Sequence, residues 1–253
     1  MTRIKLGLLG LCVLVFGLMA FSATGAQAEG VWLILNASKQ VKTGTELPAI
    51  LELEKDKNKV GEEHYVLHSE ILKIKILFLC TGIKLVNAII YNSGAIGEKV
   101  GVEKGSKILF SECETFINNV LEPNCPPTDP IDGKKFIVTK ALHGLLALHA
   151  LASGAKDDIL LIEPDEGSVL ATIVLPAGCP IGTSVPVIGK LALQDCEGLA
   201  LVHLVKHLLE PLEALTKLFT VSETAEHTAT LLGSAWAKLG GAHAGLEWSM
   251  SSL

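Results

Sequence analysis

The most regular feature of the chain is a two-residue alternation of apolar and polar positions, broken by glycine, proline and asparagine. Leu72, Ile74, Ile76, Phe78 and Cys80 form one apolar face, while the other carries Lys73 and Lys75 before turning apolar at Leu77 and Leu79. A long strand buried on one face and then on both reads this way. From Glu226 the alternation is cleaner: His227, Ala229, Leu231, Gly233, Ala235 and Ala237 stand against Glu226, Thr228, Thr230, Ser234 and Lys238. The small residues on that face leave room for close packing.

Further strands are predicted at 31–35, 107–110, 135–142, 144–150, 159–162, 169–175, 187–193 and 246–249. Turn chemistry separates them at Asn92-Ser93-Gly94, at Pro126-Pro127-Thr128-Asp129-Pro130, at Asp132-Gly133, at Pro164-Asp165-Glu166-Gly167 and at Gly240-Gly241. Short strands repeated at this spacing predict an all-β protein, an antiparallel sandwich or barrel-like arrangement of sheets with at most one or two short helices.

One stretch competes with that reading. In LVHLVKHLLEP, residues 201–211, Leu201, Leu204, Val205, Leu208 and Leu209 follow helical spacing, with His203, Lys206, His207 and Glu210 on the other side. Pro211 disfavours helix at Glu210, and strands surround the segment, so 201–219 is read as strand with helix as its alternative.

The N-terminus adds a destination. Arg3 and Lys5 precede the apolar run 6–21, and the small-residue motif Ala26-Gln27-Ala28 follows. This is the pattern of a secretory signal peptide, 1–28, cleaved after Ala28; the apolar run is short for a membrane-spanning helix, which takes about 20 residues. The chain is expected in the secreted, periplasmic or cell-surface fraction and, once cleaved, not to be a transmembrane protein. Residues 29–253 are enough for one β domain or two small ones, and a boundary, if one exists, is expected near 152–158, where Ala152-Ser153-Gly154-Ala155 stands.

Composition narrows the partners. The net charge is −6, and removing a leader that carries Arg3 and Lys5 makes it more negative still. Binding to nucleic acid relies on clustered cations, so nucleic acid is excluded as a partner; a cell-envelope component or another protein remains open. Hydrophobic residues make up 49% of the chain and mean hydropathy is +0.45, which implies strands apolar on both faces. Aromatic residues are only 5%, too few for flat sugar-binding platforms or for the two aromatic girdles of an outer-membrane barrel.

Six cysteines are present, and Cys12 falls in the leader. Cys80, Cys113, Cys125, Cys179 and Cys196 remain, and in an exported protein pairing is the expectation. Five thiols allow at most two bridges. The expected pairs are Cys179 with Cys196 and Cys113 with Cys125, since each closes a short segment containing turn residues, although spacing alone does not determine connectivity. No C-x-x-C occurs, which argues against zinc held through cysteines.

Several features occur in an order that resembles a loose group of uncharacterised secreted β-rich bacterial proteins. They are the leader, Trp32 with Asn36 after it, Cys80 closing an apolar strand, Ser111-Glu112-Cys113, Cys125-Pro126, and Gly241-Ala242-His243-Ala244-Gly245. The resemblance implies export, a bacterial source and β structure; it implies no activity and transfers no site.

The candidate chemistry is sparse. His203 and His207 face the same way as helix or strand, because four residues make one helical turn and also an even number of strand steps. A zincin places glutamate after the first histidine; here that position is Leu204. His64 and His68 share the spacing, and His143 and His149 are also an even number apart. A catalytic zinc needs three protein ligands, and nothing in the spacing nominates a third from these residues or His227. Asp165 and Glu166 lie in Pro-Asp-Glu-Gly, which reads as a turn before it reads as a carboxylate pair. Ser184 lies in a loop without the G-x-S-x-G elbow, no phosphate-binding glycine motif occurs, and Asn36-Ala37-Ser38 matches a glycosylation sequon.

No catalytic, cofactor-binding or metal residue is therefore assigned and no cofactor is expected. The sequence points to an exported, non-enzymatic β protein, a structural or interaction module. The alternative is a β-barrel enclosing an apolar small molecule, and the more remote one a hydrolase using a histidine-bound metal.

Overall fold

A computed structural model describes residues 30–35, 41–42, 48–54, 65–71, 73–94, 100–129, 133–150, 156–194, 198–207, 218–222 and 225–252. The leader, Asn36, His64, the segment 151–155, Cys196 and residues 208–217 lie outside them. Among the described residues there is no α-helix, and a single 3₁₀ turn spans Gly241–His243.

The strands are β1 (Gly30–Leu35), β2 (Val41–Lys42), β3 (Ala49–Leu53), β4 (Tyr65–Ile71), β5 (Ile74–Val86), β6 (Ile89–Ser93), β7 (Val100–Ile117), β8 (Val120–Leu121), β9 (Phe136–Val138) and β10 (Leu142–Ala150). They continue with β11 (Lys156–Pro164), β12 (Val169–Val174), β13 (Ser184–Ile188), β14 (Leu191–Gln194), β15 (Val202–His207), β16 (Leu218–Ser222), β17 (Ala225–Leu232), β18 (Ser234–Gly240) and β19 (Trp248–Ser252). The protein is all-β, as its alternating pattern predicts.

Eight strands close into an antiparallel barrel. Around the ring run β7, β10, β11, β14, β15, β18, β3 and β6, and β6 pairs back with β7. Closure removes the unpaired edges that an open sheet would leave. The lumen is filled by one side of each strand: Leu51 from β3, Ile90 from β6, Leu146 from β10, Leu160 from β11, Leu191 from β14 and Leu239 from β18 are all buried.

A second sheet grows from the same long strand. The first half of β7 belongs to the barrel, while its second half pairs with β5, and β4, β17, β16, β13 and β12 follow in turn. This sheet curls back on β7 through β9, which pairs Phe136–Val138 with Leu109–Ser111, and through the bridge between Thr139 and Ala171 of β12. Gly233 carries the chain from β17 in the second sheet to β18 in the barrel. Its φ of +148° is one that side-chain-bearing residues rarely adopt, and a Cβ there would stand 2.6 Å from the Tyr65 ring.

A small sheet of β19, β1 and β2 closes one end of the barrel. Trp32 of β1 donates its backbone N–H to Asn92 Oδ1 at 2.8 Å, accepts from Asn92 Nδ2 at 2.9 Å, and donates its indole N–H to the Val102 carbonyl. Gly30 and Gly101 have no room for a Cβ because Leu146 occupies that space. On the β19 side, Trp248 exchanges backbone hydrogen bonds with Ala200, just before β15.

Two expected strands are each two, and the one expected from Leu72 begins only at Ile74. The chain reverses at Lys73 (φ 69°), so that Ile71 pairs with Ile74, and β5 then runs on to Val86; nothing in Leu72-Lys73 marks a turn. Gly189 (φ 119°) divides 187–193 into β13 and β14, and Gly233 divides 226–238. The strands flanking 151–155, β10 and β11, pair along their whole length as a hairpin.

The cysteine pairing also needs correction. Cys80 is bonded to Cys113 and Cys125 to Cys179, in place of Cys113 with Cys125 and Cys179 with Cys196. Proximity in sequence misleads here because cross-strand register decides. Cys80 of β5 is the direct partner of Cys113 of β7, and the loop carrying Cys125 packs over the loop after β12. Two paired cysteine sets among the described residues fit an oxidising compartment.

Candidate functional site

The polar groups of the barrel interior are few, and four of them, Glu103, Ser106, His207 and Ser234, line one cavity. It has a volume of about 100 Å³ and is otherwise walled mainly by aliphatic side chains from both sheets, among them Leu51, Leu85, Ile108 and Val205. Glu103 and Ser106 enter it from β7, and His207 from β15. In the eight-strand ring β7 and β15 are four strands apart in either direction, so the two ionisable groups stand on opposite walls.

A β-bulge explains how Glu103 and Ser106 come to share a face at a spacing of three. Leu142 pairs with Ser106 but His143 pairs with Lys104, leaving Gly105 as the extra residue at φ +75°. One extra residue resets the inward alternation, turning Ser106, Ile108 and Phe110 inward after Glu103. Gly144, opposite Glu103 on β10, leaves space for it: a Cβ there would come within 3.3 Å of the Glu103 Cβ.

Glu103 is 2% exposed, and neither carboxylate oxygen has a hydrogen bond of good geometry. Burial pushes its pKa from 4.5 up to about 7, with the nearby Ser106 hydroxyl and amide opposing the rise and the charge of Asp165 adding to it. His207 has no good hydrogen bond at either ring nitrogen. Burial lowers its pKa from 6.5 to about 4, offset only in part by the backbone of Leu231. Near neutrality the cavity thus holds an uncharged imidazole and a carboxyl shared between its two forms.

The strand reading of LVHLVKHLLEP holds for residues 202–207. It also separates the histidines: both point inward, but four strand residues span about 13 Å, too far for one metal ion. His203 serves the plug, its Nε2 lying 2.6 Å from the Trp248 carbonyl and its ring edge-on to that indole at 4.5 Å. Among the described residues no three His, Cys, Asp or Glu side chains converge as metal ligands.

The remaining candidates are scattered. His68 and His227 lie half-buried on β4 and β17, and Ser184 is exposed at the start of β13. Asp165 and Glu166 occupy the bend between β11 and β12, as a turn would have them. His143 lies between Glu163 (3.3 Å) and Asp165 (3.2 Å) on the barrel's outer face. Burial raises the Glu163 pKa, but Lys190 and His143 outweigh it and hold the carboxyl below its usual value. Half-exposed pairs of this kind contribute little.

Glu103 and Ser106 escaped the sequence reading. The signal available was Glu103-Lys104-Gly105-Ser106, a glycine inside a strand pattern, which is how a bulge announces itself.

Among the described residues no helix is long and apolar enough to cross a membrane. The fold thus defines a class, a closed eight-strand antiparallel barrel joined to a second curled sheet. Comparison with protein-family models, with curated proteins and with solved structures finds no match.

Proposed function

We propose that this protein is an exported barrel that binds a small, largely apolar molecule carrying one uncharged polar group, held in the lumen between Glu103 and His207. A single observation carries the reading: two ionisable side chains project into one apolar cavity with their polar atoms unsatisfied. Leaving such groups unpaired costs on the order of 1–3 kcal/mol each. A ligand hydroxyl offsets that cost by donating to the imidazole and accepting from the protonated carboxyl. A charged head group would meet the same desolvation that already drives both side chains towards their neutral forms. Export is supported by the leader pattern and by the two cysteine pairs.

Calorimetric titration with 1-hexanol, hexanoate and hexylammonium tests this reading. The expected order places 1-hexanol first, with its affinity reduced at least ten-fold in the double variant Glu103→Leu, His207→Leu, whose fold circular dichroism checks. If none of the three binds, or if the double variant binds 1-hexanol as the parent does, the reading is wrong.

A further inference from the structure

A second cavity, of about 50 Å³, lies inside the curled sheet, among Phe78, Cys80, Ile137, Ala171, Ile173 and Val187. It shares four wall residues with the first cavity: Tyr65, Phe110, Leu191 and Leu231. The two spaces are therefore neighbouring chambers that share part of their wall. Tyr65 and Phe110 form the aromatic part of that wall, their ring centroids 5.8 Å apart and their planes tilted by 54°. All the unpaired polar chemistry is on one side of it: Glu103 and His207 belong to the first chamber alone, while the second is walled by apolar side chains, a disulfide and Thr139. The Thr139 hydroxyl accepts a hydrogen bond from the Ile108 amide at 2.9 Å.

A chamber pair with its polar groups at one end has the polarity of a single-tailed amphiphile. Resting on the binding role proposed above, we infer that the ligand is an unbranched alkyl chain with a hydroxyl-type head, the head between Glu103 and His207 and the tail passing the Tyr65 and Phe110 side chains of the shared wall into the second sheet. Size sets the length of that chain, since a cavity of about 150 Å³ takes up the six carbons of one benzene. At about 100 Å³ the first chamber alone then accommodates about four carbons, and the second, at about 50 Å³, about two more.

Titration with 1-alkanols of increasing length tests the threading. Affinity should rise about four-fold with each methylene, the factor corresponding to about 0.8 kcal/mol per buried CH₂, and the rise should continue past 1-butanol to about 1-hexanol. Ala171→Leu fills the second chamber without reaching the first. It should leave 1-butanol affinity unchanged, which also shows that the variant is folded, and weaken 1-hexanol at least ten-fold. Val187→Phe fills the same space from β13 and should act alike. An affinity plateau at four carbons, or equal weakening of short and long alcohols in both variants, would overturn the threaded chain while leaving binding in the first chamber intact. If no alcohol of any length binds, the binding role fails together with the inference.

Discussion

Cys80 and Cys113 stand directly opposite one another on β5 and β7, with their Cα atoms 4.0 Å apart. The bond ties the strand shared by both sheets to its neighbour in the second sheet. The other bond, Cys125 to Cys179, joins the loop after β8 to the loop after β12 across 54 residues. In the chain-entropy account each closure of this length stabilises by about 4 kcal/mol. Peptide mapping of the unreduced protein should recover these two linkages. The double variants Cys80→Ala, Cys113→Ala and Cys125→Ala, Cys179→Ala should each lower stability in urea by up to that amount. A Cys179–Cys196 peptide would contradict the arrangement.

Glu103 and His207 make opposite contributions to the pH dependence of stability. The folded carboxyl titrates near 7 against 4.5, so the native state holds an extra proton between those values and stability falls as pH rises through them. The folded imidazole titrates near 4 against 6.5, so its contribution is full above 6.5 and is lost as pH falls towards 4. Each amounts to on the order of 3 kcal/mol, and between 4.5 and 6.5 they largely cancel. Urea unfolding across pH 4 to 8 should show Glu103→Gln losing stability as the pH drops below 6.5. His207→Gln should instead gain stability as the pH drops from 7 to 4.5. Parallel profiles for the two variants would refute the opposition.

Asn92 holds the barrel plug by both backbone groups of Trp32. In Asn92→Ala a buried N–H and a buried C=O lose their partners together, and unsatisfied groups of this kind cost about 1–3 kcal/mol each. The expected loss is about 2–4 kcal/mol in urea, accompanied by faster hydrogen exchange at the Trp32 amide. A loss under about 0.5 kcal/mol would mean that β1 is held without Asn92, by its pairing with β19 and β2 and by the Trp32 indole.

Gly233 sets the position of the Tyr65 ring in the wall between the two chambers as well as the crossover between sheets. Gly233→Ala introduces both a strained φ and a clash with the Tyr65 ring, and the expected cost is about 2 kcal/mol or more, read from the urea midpoint. An unchanged midpoint would show that the ring moves aside freely.

Much of the fold was legible because strand alternation is local: the inward rows Ile76, Phe78, Cys80 and Ala229, Leu231 could be read two residues at a time, and so could the all-β class. The hairpin at Lys73 was hidden because the turn uses no glycine or asparagine, and its flanking residues continue the apolar row. Glu103 was invisible as a site for a related reason. In sequence it is one acidic residue between Val102 and Lys104, and only the Gly105 bulge and the closure of the ring turn it inward.

Local pattern determined by itself that the protein is all-β, which faces of several strands are apolar, and that LVHLVKHLLEP cannot supply a zincin motif. Tertiary structure decided which strands are neighbours, and with that everything that depends on register. It paired Cys80 with Cys113, set β7 opposite β15, and placed an unpartnered carboxyl and imidazole in one apolar lumen. The reason is physical: alternation depends on a residue and its next-nearest neighbours, whereas barrel closure is settled by hydrogen bonding and side-chain volume between segments far apart in the chain.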